Sequence, residues 1–336
     1  MTPLVKRIIS LAIYLLLAAC GGQAVPKING LSLVASREAI RQEHVDALLD
    51  VHANYVAIMP YGFLRNVHEP NIIYDSDRQW FGETRKGARQ YIQMLHANGL
   101  EVMLKPQLWI WRGEFTGTMS MATEADWKEL EASYEDFILA YAALAEETGV
   151  RIFCVGTELR RFVEQRPEFW RGLIRKVRAV YSGKLTYAAN WDEYQETPFW
   201  QELDYIGIDA YFPLSEDKTP AVGTLLKAWE PWRDKMEDLS KKVKRGVLFT
   251  EFGYRSIDYT AWKPWMASRE DGAVNLDAQV NAKKALFETF WKEDWFAGGF
   301  VWKWFQDPRE EGSSSNRYTP QNKPAQDVIR AYYGSN

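Results

Sequence analysis

Phe153-Cys154-Val155-Gly156-Thr157-Glu158 and Leu248-Phe249-Thr250-Glu251-Phe252-Gly253-Tyr254 are the two stretches on which the reading of this chain turns. Each is a short apolar run that closes on a glutamate. Runs apolar almost throughout suit parallel strands buried on both faces. Working outward, the same pattern recurs at Leu31–Ala35, Tyr55–Met59, Val102–Lys105, Leu185–Ala189, Tyr205–Ile208 and Gly299–Trp302, with the quoted pair at Ile152–Val155 and Val247–Thr250. Between these runs the apolar period changes to helical. One segment carries Leu130, Tyr134, Phe137, Ile138, Tyr141, Leu144 and Ala145, another Phe169, Leu173, Ile174, Val177 and Tyr181, and a third Leu276, Val280, Phe287 and Trp291. Gly99 and Gly149 stand where helix C-caps belong, just before the third and fourth runs.

Eight strand signals alternating with helices over about 300 residues predict an α/β protein, a single (β/α)8 TIM barrel spanning 29–336. A doubly wound open sheet is the alternative. No Gly-x-Gly-x-x-Gly follows the first run, and no Walker-type loop occurs. In a barrel of this kind chemistry sits on the loops at the C-terminal strand ends. The residues that close each run are therefore the candidates.

Composition narrows the chemistry. The chain has 336 residues, 41 Lys+Arg, 45 Asp+Glu and a formal net charge of −4, so it offers no basic surface for nucleic acid. Two cysteines exclude a disulfide scaffold, and four histidines leave little for a metal site. Neither His/Cys ligand spacing nor an EF-hand loop is present, and no metal or other cofactor is expected. Asp75, Asp77 and Asp307 read as scattered loop acids. The unusual entry is aromatic: 15 Trp, 17 Tyr and 16 Phe.

Residues 1–19 read as an address. Lys6 and Arg7 precede the apolar run Ile8–Leu17, too short to span a bilayer but suited to a signal-peptide core. Leu17-Ala18-Ala19-Cys20 resembles a bacterial lipobox, which implies lipidation of Cys20 after cleavage. Residues 20–28 then form a short anchor linker. Gly21 after Cys20, by resemblance to enterobacterial lipoproteins, favours the outer membrane of the cell envelope. A plain secretory signal cut near Ala19 is the alternative. Cys154 is then unpaired and buried.

Glu158 and Glu251 close the fourth and seventh runs and would face each other across the barrel mouth. Glycoside hydrolysis needs such a pair. One carboxyl protonates the leaving oxygen, and the other attacks or activates water. Taken singly, a strand-end glutamate is more often solvated or salt-bridged.

Several segments resemble a clan A glycoside hydrolase, most closely glycoside hydrolase family 113. They are Val155-Gly156-Thr157-Glu158-Leu159, Asp204-Tyr205-Ile206-Gly207-Ile208-Asp209-Ala210-Tyr211, Thr250-Glu251-Phe252-Gly253-Tyr254 and Tyr318-Thr319-Pro320-Gln321-Asn322-Lys323-Pro324-Ala325. The resemblance covers most of the chain after residue 28. It implies a retaining glycosidase acting on β-linked glycan, most of all β-1,4-mannan, with Glu158 as acid/base and Glu251 as nucleophile. It also implies that Tyr211 donates to Glu251 and that Trp302 is the platform beneath the reacting sugar. One departure matters. Most of the clan has Asn before the acid/base, bonded to the sugar 2-hydroxyl, and here Thr157 stands there. The shorter side chain requires a different partner for that hydroxyl.

The remaining candidates come from the residues themselves. Trp302 and Trp304 share one strand parity, so both can face inward. Lys105 ends the third run, where a lysine is costly unless paired or turned to the cleft, and is expected to touch sugar or a catalytic carboxylate. Trp109 and Trp111 on the following loop are placed to line outer subsites or to cover a helix. Asn190 and Trp191 end the fifth run, and Tyr61 follows the second; each is a candidate substrate contact. Trp262 and Trp265, after Glu251, are weaker candidates. Trp170, Trp291 and Trp295 read as packing. The expected partner is a poly- or oligosaccharide bound by a monomer whose only membrane contact is the N-terminal lipid. A glycan-binding lipoprotein on a decayed hydrolase barrel, or a glycosidase of cell-wall metabolism, are the competing functions; the fold alone does not separate them.

Overall fold

The computed structural model describes residues 26–266, 272–307, 312 and 314–335. The proposed leader and Cys20 lie outside them. Ten strands occur among the described residues: β1 (Ile28–Leu33), β2 (Tyr55–Ile58), β3 (Tyr61–Leu64), β4 (Glu101–Leu104), β5 (Gln107–Ile110), β6 (Ile152–Thr157), β7 (Lys184–Asn190), β8 (Tyr205–Asp209), β9 (Gly246–Phe252) and β10 (Phe296–Trp304). The helices are α1 (Gln42–Leu49), α2 (Arg85–Ala97), α3 (Glu124–Thr148), α4 (Arg160–Gln165), α5 (Pro167–Val180), α6 (Val222–Val243), α7 (Leu276–Phe290) and α8 (Pro324–Tyr333).

Eight of the strands close a parallel barrel in the order β1-β2-β4-β6-β7-β8-β9-β10. This is the (β/α)8 architecture the alternating runs predict. β1 begins at Ile28, three residues before the apolar run read as its start, because Asn29 and Gly30 pair with their neighbours as strand residues. The pair β3-β5 lies outside the eight strands that the apolar runs predict. It forms a small parallel sheet directly after the second and third barrel strands, so the chain at Tyr61 and Gln107 is strand and not loop.

Alternation along the strands sorts side chains into two clusters. Ile28, Ala57, Met103, Ile152, Leu248 and Phe300 form a compact set inside the barrel. Leu31, Val56, Val102, Phe153 and Val247 join the larger cluster under the helices. A β-carbon on Gly30 would lie 2.3 Å from the Phe300 ring, so only glycine lets that ring fill the barrel floor. The helices end as read: Gly149 caps α3 in the left-handed conformation at φ +69°, and Gly99 follows α2 at φ +76°. Thr123, Thr84 and Asn275 cap α3, α2 and α7 by accepting from backbone N–H groups. Trp170 and Trp291 are buried packing residues, as expected. Cys154 is free and buried, and burial pushes its thiol up to about 11.

One core residue works against stability. Lys283 of α7 is fully buried, and its amine has no hydrogen-bond partner among the described residues. The Phe252 ring, 5.9 Å away, is its nearest compensation. Burial, helped by repulsion from Lys323, brings its pKa down to about 7 from an ordinary 10.5. Between those values the unfolded chain holds a proton that the folded chain does not, so stability rises with pH through that window. Replacing Lys283 by Met should raise the thermal unfolding midpoint by about 5 °C at pH 6. The gain over the parent protein should shrink as the pH is raised from 7 towards 10. A gain that is independent of pH would reject this account.

Candidate active site

The barrel mouth gathers its polar residues on the inward parity of the strands. Lys105, two residues beyond Met103 of the barrel floor, has no exposed surface. Its Nζ donates to Glu251 Oε1 at 2.6 Å and to Asp209 Oδ1 and Oδ2 at 3.1 and 3.2 Å. Of the two partners expected for Lys105, sugar or carboxylate, the structure gives it carboxylates. Burial opposes its charge, but Asp209 and then Glu251 outweigh burial and hold the amine above its ordinary range.

Glu251 receives two further bonds. Gln107 Nε2 donates to Oε1 at 2.9 Å, and Tyr211 Oη donates to Oε2 at 2.9 Å. Burial, then the charge of Glu251, pushes the Tyr211 phenol well up, so it stays a donor. A bulge aims the glutamate. Ile208 of β8 pairs with Phe249, but Asp209 pairs with Glu251, so one residue of β9 is skipped. The skipped residue, Thr250, donates its hydroxyl to Asp209 Oδ1 at 2.7 Å. Asp209 and Gln107 were not singled out from sequence. The signal for Asp209 was available: a buried lysine demands a counter-ion, and an acid closes the sixth apolar run. Gln107 gave no such signal, because its role depends on β5 being a strand.

Glu158 is placed differently. It follows β6, which also carries a register shift between Cys154 and Thr157. Its backbone is left-handed at φ +51°, a conformation that costs a non-glycine residue about 1–3 kcal/mol and needs external support. Support comes from both sides. Glu158 N donates to Ala188 O at 2.8 Å, Leu159 N donates to Tyr187 Oη at 2.8 Å, and Thr116 Oγ1 donates to Glu158 O at 3.2 Å. Behind it, a β-carbon on Gly156 would lie 2.7 Å from Trp170 and 2.8 Å from Tyr134 Oη, so the strand presses directly on the aromatic cluster. No side chain among the described residues bonds the Glu158 carboxyl. Burial first, then the charges of Asp209 and Glu251, raises its pKa well above the carboxylate range, with Lys105 opposing. Burial and the Glu251 charge likewise raise Asp209.

Other candidates stand around this centre. Asn190 pairs in register with Asp209, and its Oδ1 accepts from Trp191 N at 2.8 Å. Tyr61 on β3 is close enough for Glu251 and Lys105 to act on its phenol, and it meets Trp109 edge-on at 6.5 Å. Trp109 and Trp111 are exposed on β5 and just after it. Trp191 is half-buried and stacks on Trp265 at 5.0 Å. The Thr157 hydroxyl is buried without a hydrogen-bond partner among the described residues. Trp302 is half-exposed, but Trp304 is buried in the outer cluster. The shared parity fails because the register shifts between Leu31 and Leu33, so that Trp304 pairs with outward-facing Leu33. No group of three or more His, Cys, Asp or Glu among the described residues is placed to hold a metal ion.

The site thus holds one carboxyl pushed towards its protonated form and another bonded by three donors. Carboxyls treated so differently can divide acid and nucleophile work between them. The family model for Glycoside Hydrolase Family 113 matches residues 35–323.

The chain belongs to glycoside hydrolase family 113.

It is a glycoside hydrolase, and the family's solved structures superpose on it along nearly their whole length. A family 113 β-mannanase from Alicyclobacillus acidocaldarius has 26% identity and a TM-score of 0.81, covering 93% of this chain and 99% of its own. A second structure, described as a family 113 β-1,4-mannanase, has 23% identity and a TM-score of 0.80 over 93% of this chain and 100% of its own. A β-glucuronidase from Ruminococcus gnavus shares the fold at 14% identity and a TM-score of 0.61, over 92% of this chain and 50% of its own. Among curated proteins, none matches the chain.

The buried Lys105 triad should behave as one unit. Replacing Lys105 by Met strands two buried carboxylates and should cost about 3–5 kcal/mol of folding stability. Adding Asp209→Asn should recover part of that loss, because one of the stranded charges is removed. Denaturant unfolding of the single and double variants checks both statements; strictly additive losses would show that the three groups are not coupled.

Proposed function

We propose that this enzyme is a retaining β-mannanase working by double displacement, with Glu251 as nucleophile and Glu158 as acid/base. The unequal treatment of the two glutamates carries this reading. Glu251 is fixed by Lys105, Gln107 and Tyr211, as an attacking carboxylate must be. The Glu158 carboxyl has no side-chain bond among the described residues, and its proton is favoured by burial and by neighbouring negative charge.

In the first step a Glu251 oxygen bonds to the anomeric carbon as the glycosidic C–O bond breaks. The proton of Glu158 passes to the leaving oxygen. In the second step Glu158, now ionised, takes a proton from water; the water oxygen bonds to the anomeric carbon and Glu251 departs. Trp302 forms the floor under the reacting sugar, whose apolar C–H face suits a flat indole. Asn190 and Tyr61 are the groups assigned to its hydroxyls, while the buried Thr157 hydroxyl is not open to them. Mannan as the substrate rests on the likeness to family 113 β-mannanases. The axial 2-hydroxyl of mannose is compatible with Thr157 in place of Asn.

We also propose that Cys20 is lipidated and tethers the barrel to the outer membrane, outside which long glycans are met. Mass spectrometry of the mature N-terminus should find a diacylglycerol-modified Cys20; an unmodified terminus rejects the anchor.

Glu251→Ala should lower kcat on β-1,4-mannan at least 10^4-fold while leaving the fold intact by circular dichroism, a loss of about 5 kcal/mol in transition-state stabilisation. Proton NMR during the first minutes of hydrolysis by the parent enzyme should show the β-anomer of the new reducing end. First appearance of the α-anomer would mean inversion and would end the double-displacement reading.

A further inference from the structure

We infer that Trp191 and Trp265 form a preassembled platform for the sugar on the leaving-group side of the cleft, so that bond cleavage draws on an oligosaccharide leaving group. The inference rests on the acid and nucleophile assignments above and extends them to a second sugar.

The barrel order supplies the direction. Glu158 follows β6 and Glu251 lies on β9. A line between them divides the rim into two arcs. β7 and β8 lie on one, and β10, β1, β2 and β4 on the other. Trp302 of β10 holds the reacting sugar on the longer arc. The leaving group, on the far side of the breaking bond, therefore extends over the ends of β7 and β8. Trp191 stands there, immediately after Asn190, which closes β7 beside Asp209.

The pair is built as a rigid surface. Trp191 and Trp265 stack at 5.0 Å with planes 21° apart. Trp191 is backed edge-on by Phe212 at 5.9 Å and by Trp232 at 6.0 Å. Trp265 keeps 40% of its surface exposed, a large apolar area to leave in water on a ring that is already stacked. The loop bearing Trp265 is tied to the catalytic centre. Tyr211, which bonds Glu251, meets the Tyr318 ring at 6.1 Å, and the Tyr318 hydroxyl donates to Pro264 O, next to Trp265. A sugar stacked there is positioned through a continuous chain of contacts running back to the nucleophile. Flat amphipathic rings suit the C–H faces of a hexose.

The test compares two substrates. Mannopentaose places sugars on both sides of the breaking bond, whereas β-mannobiosyl fluoride has a leaving group that cannot stack. For Trp265→Ala, kcat/KM on mannopentaose should fall at least tenfold more than kcat/KM on the fluoride, and Trp265→Tyr should restore most of the difference. Equal falls on both substrates, with a lower unfolding midpoint, would assign the pair to loop packing alone and overturn the inference. So would no fall on either. If the parent enzyme cleaves neither substrate, the proposed mannanase function fails separately. Calorimetric titration of the Glu158→Gln protein with mannopentaose then reads the platform without turnover. A fivefold or greater weakening on adding Trp265→Ala supports it, and unchanged affinity or no binding overturns it.

Discussion

A single buried ammonium organises this barrel mouth. Lys105 has no access to water, and it meets two carboxylates that have almost none. None of the three is tolerable alone in such a place. A buried charge left unpaired costs several kcal/mol, and a buried pair repays that cost only when its geometry and remaining hydrogen bonds are satisfied. Here they are satisfied: Thr250 completes Asp209, and Gln107 and Tyr211 complete Glu251. The four strands β4, β5, β8 and β9 supply these groups or directly precede them, so the electrostatic requirement fixes the upper rim from both sides. The apolar layer below, around Phe300, supplies the low-dielectric floor that makes the requirement strict.

Two departures from regular strand geometry turn this rim into a site. Strict alternation would send Thr250 and Glu251 to opposite faces of β9. The bulge opposite β8 lets both serve the interior, one through Asp209 and the other through Lys105. On β6 the register shift ends in the left-handed Glu158, held by its own N–H on Ala188 O and by the next residue's N–H on the Tyr187 hydroxyl. The strain is supported by residues with no chemistry of their own, Tyr187, Gly156 and Trp170. Positional accuracy at the two glutamates is thus a property of the packing behind them.

These departures mark the boundary of what the sequence makes legible. The barrel is readable because its strands are apolar on both faces and its helices are amphipathic, and those patterns survive without knowledge of the register. Glu158 and Glu251 are readable because they close apolar runs. Lys105 is readable as a problem, since a lysine in a strand needs a partner. Its solution is not readable, because Asp209 lies 104 residues away and only barrel closure brings them together. Trp304 fails for a related reason. Parity arguments hold while the register is regular, and β10 slips past β1 just before that residue. The sheet β3-β5 is hidden too, because Tyr61-Gly62-Phe63-Leu64 carries no sign that it will leave the barrel and pair elsewhere.

The charge count also explains how one glutamate can serve twice in the proposed mechanism. Three carboxyls, Glu158, Asp209 and Glu251, share the charge of Lys105, with Asp209 and Glu251 buried and Glu158 half-buried beside them. The surplus negative charge makes a proton cheapest to hold on the carboxyl with no donors of its own, which is Glu158. When Glu251 becomes an ester to the sugar, its charge disappears. One of the neighbouring charges that raise Glu158 is then gone, while Lys105 remains. The same carboxyl is then easier to ionise than before cleavage, which suits the acceptance of a proton from water. Formation of the covalent bond itself resets the acid as a base, and departure of Glu251 in the second step restores the charge that makes it an acid again.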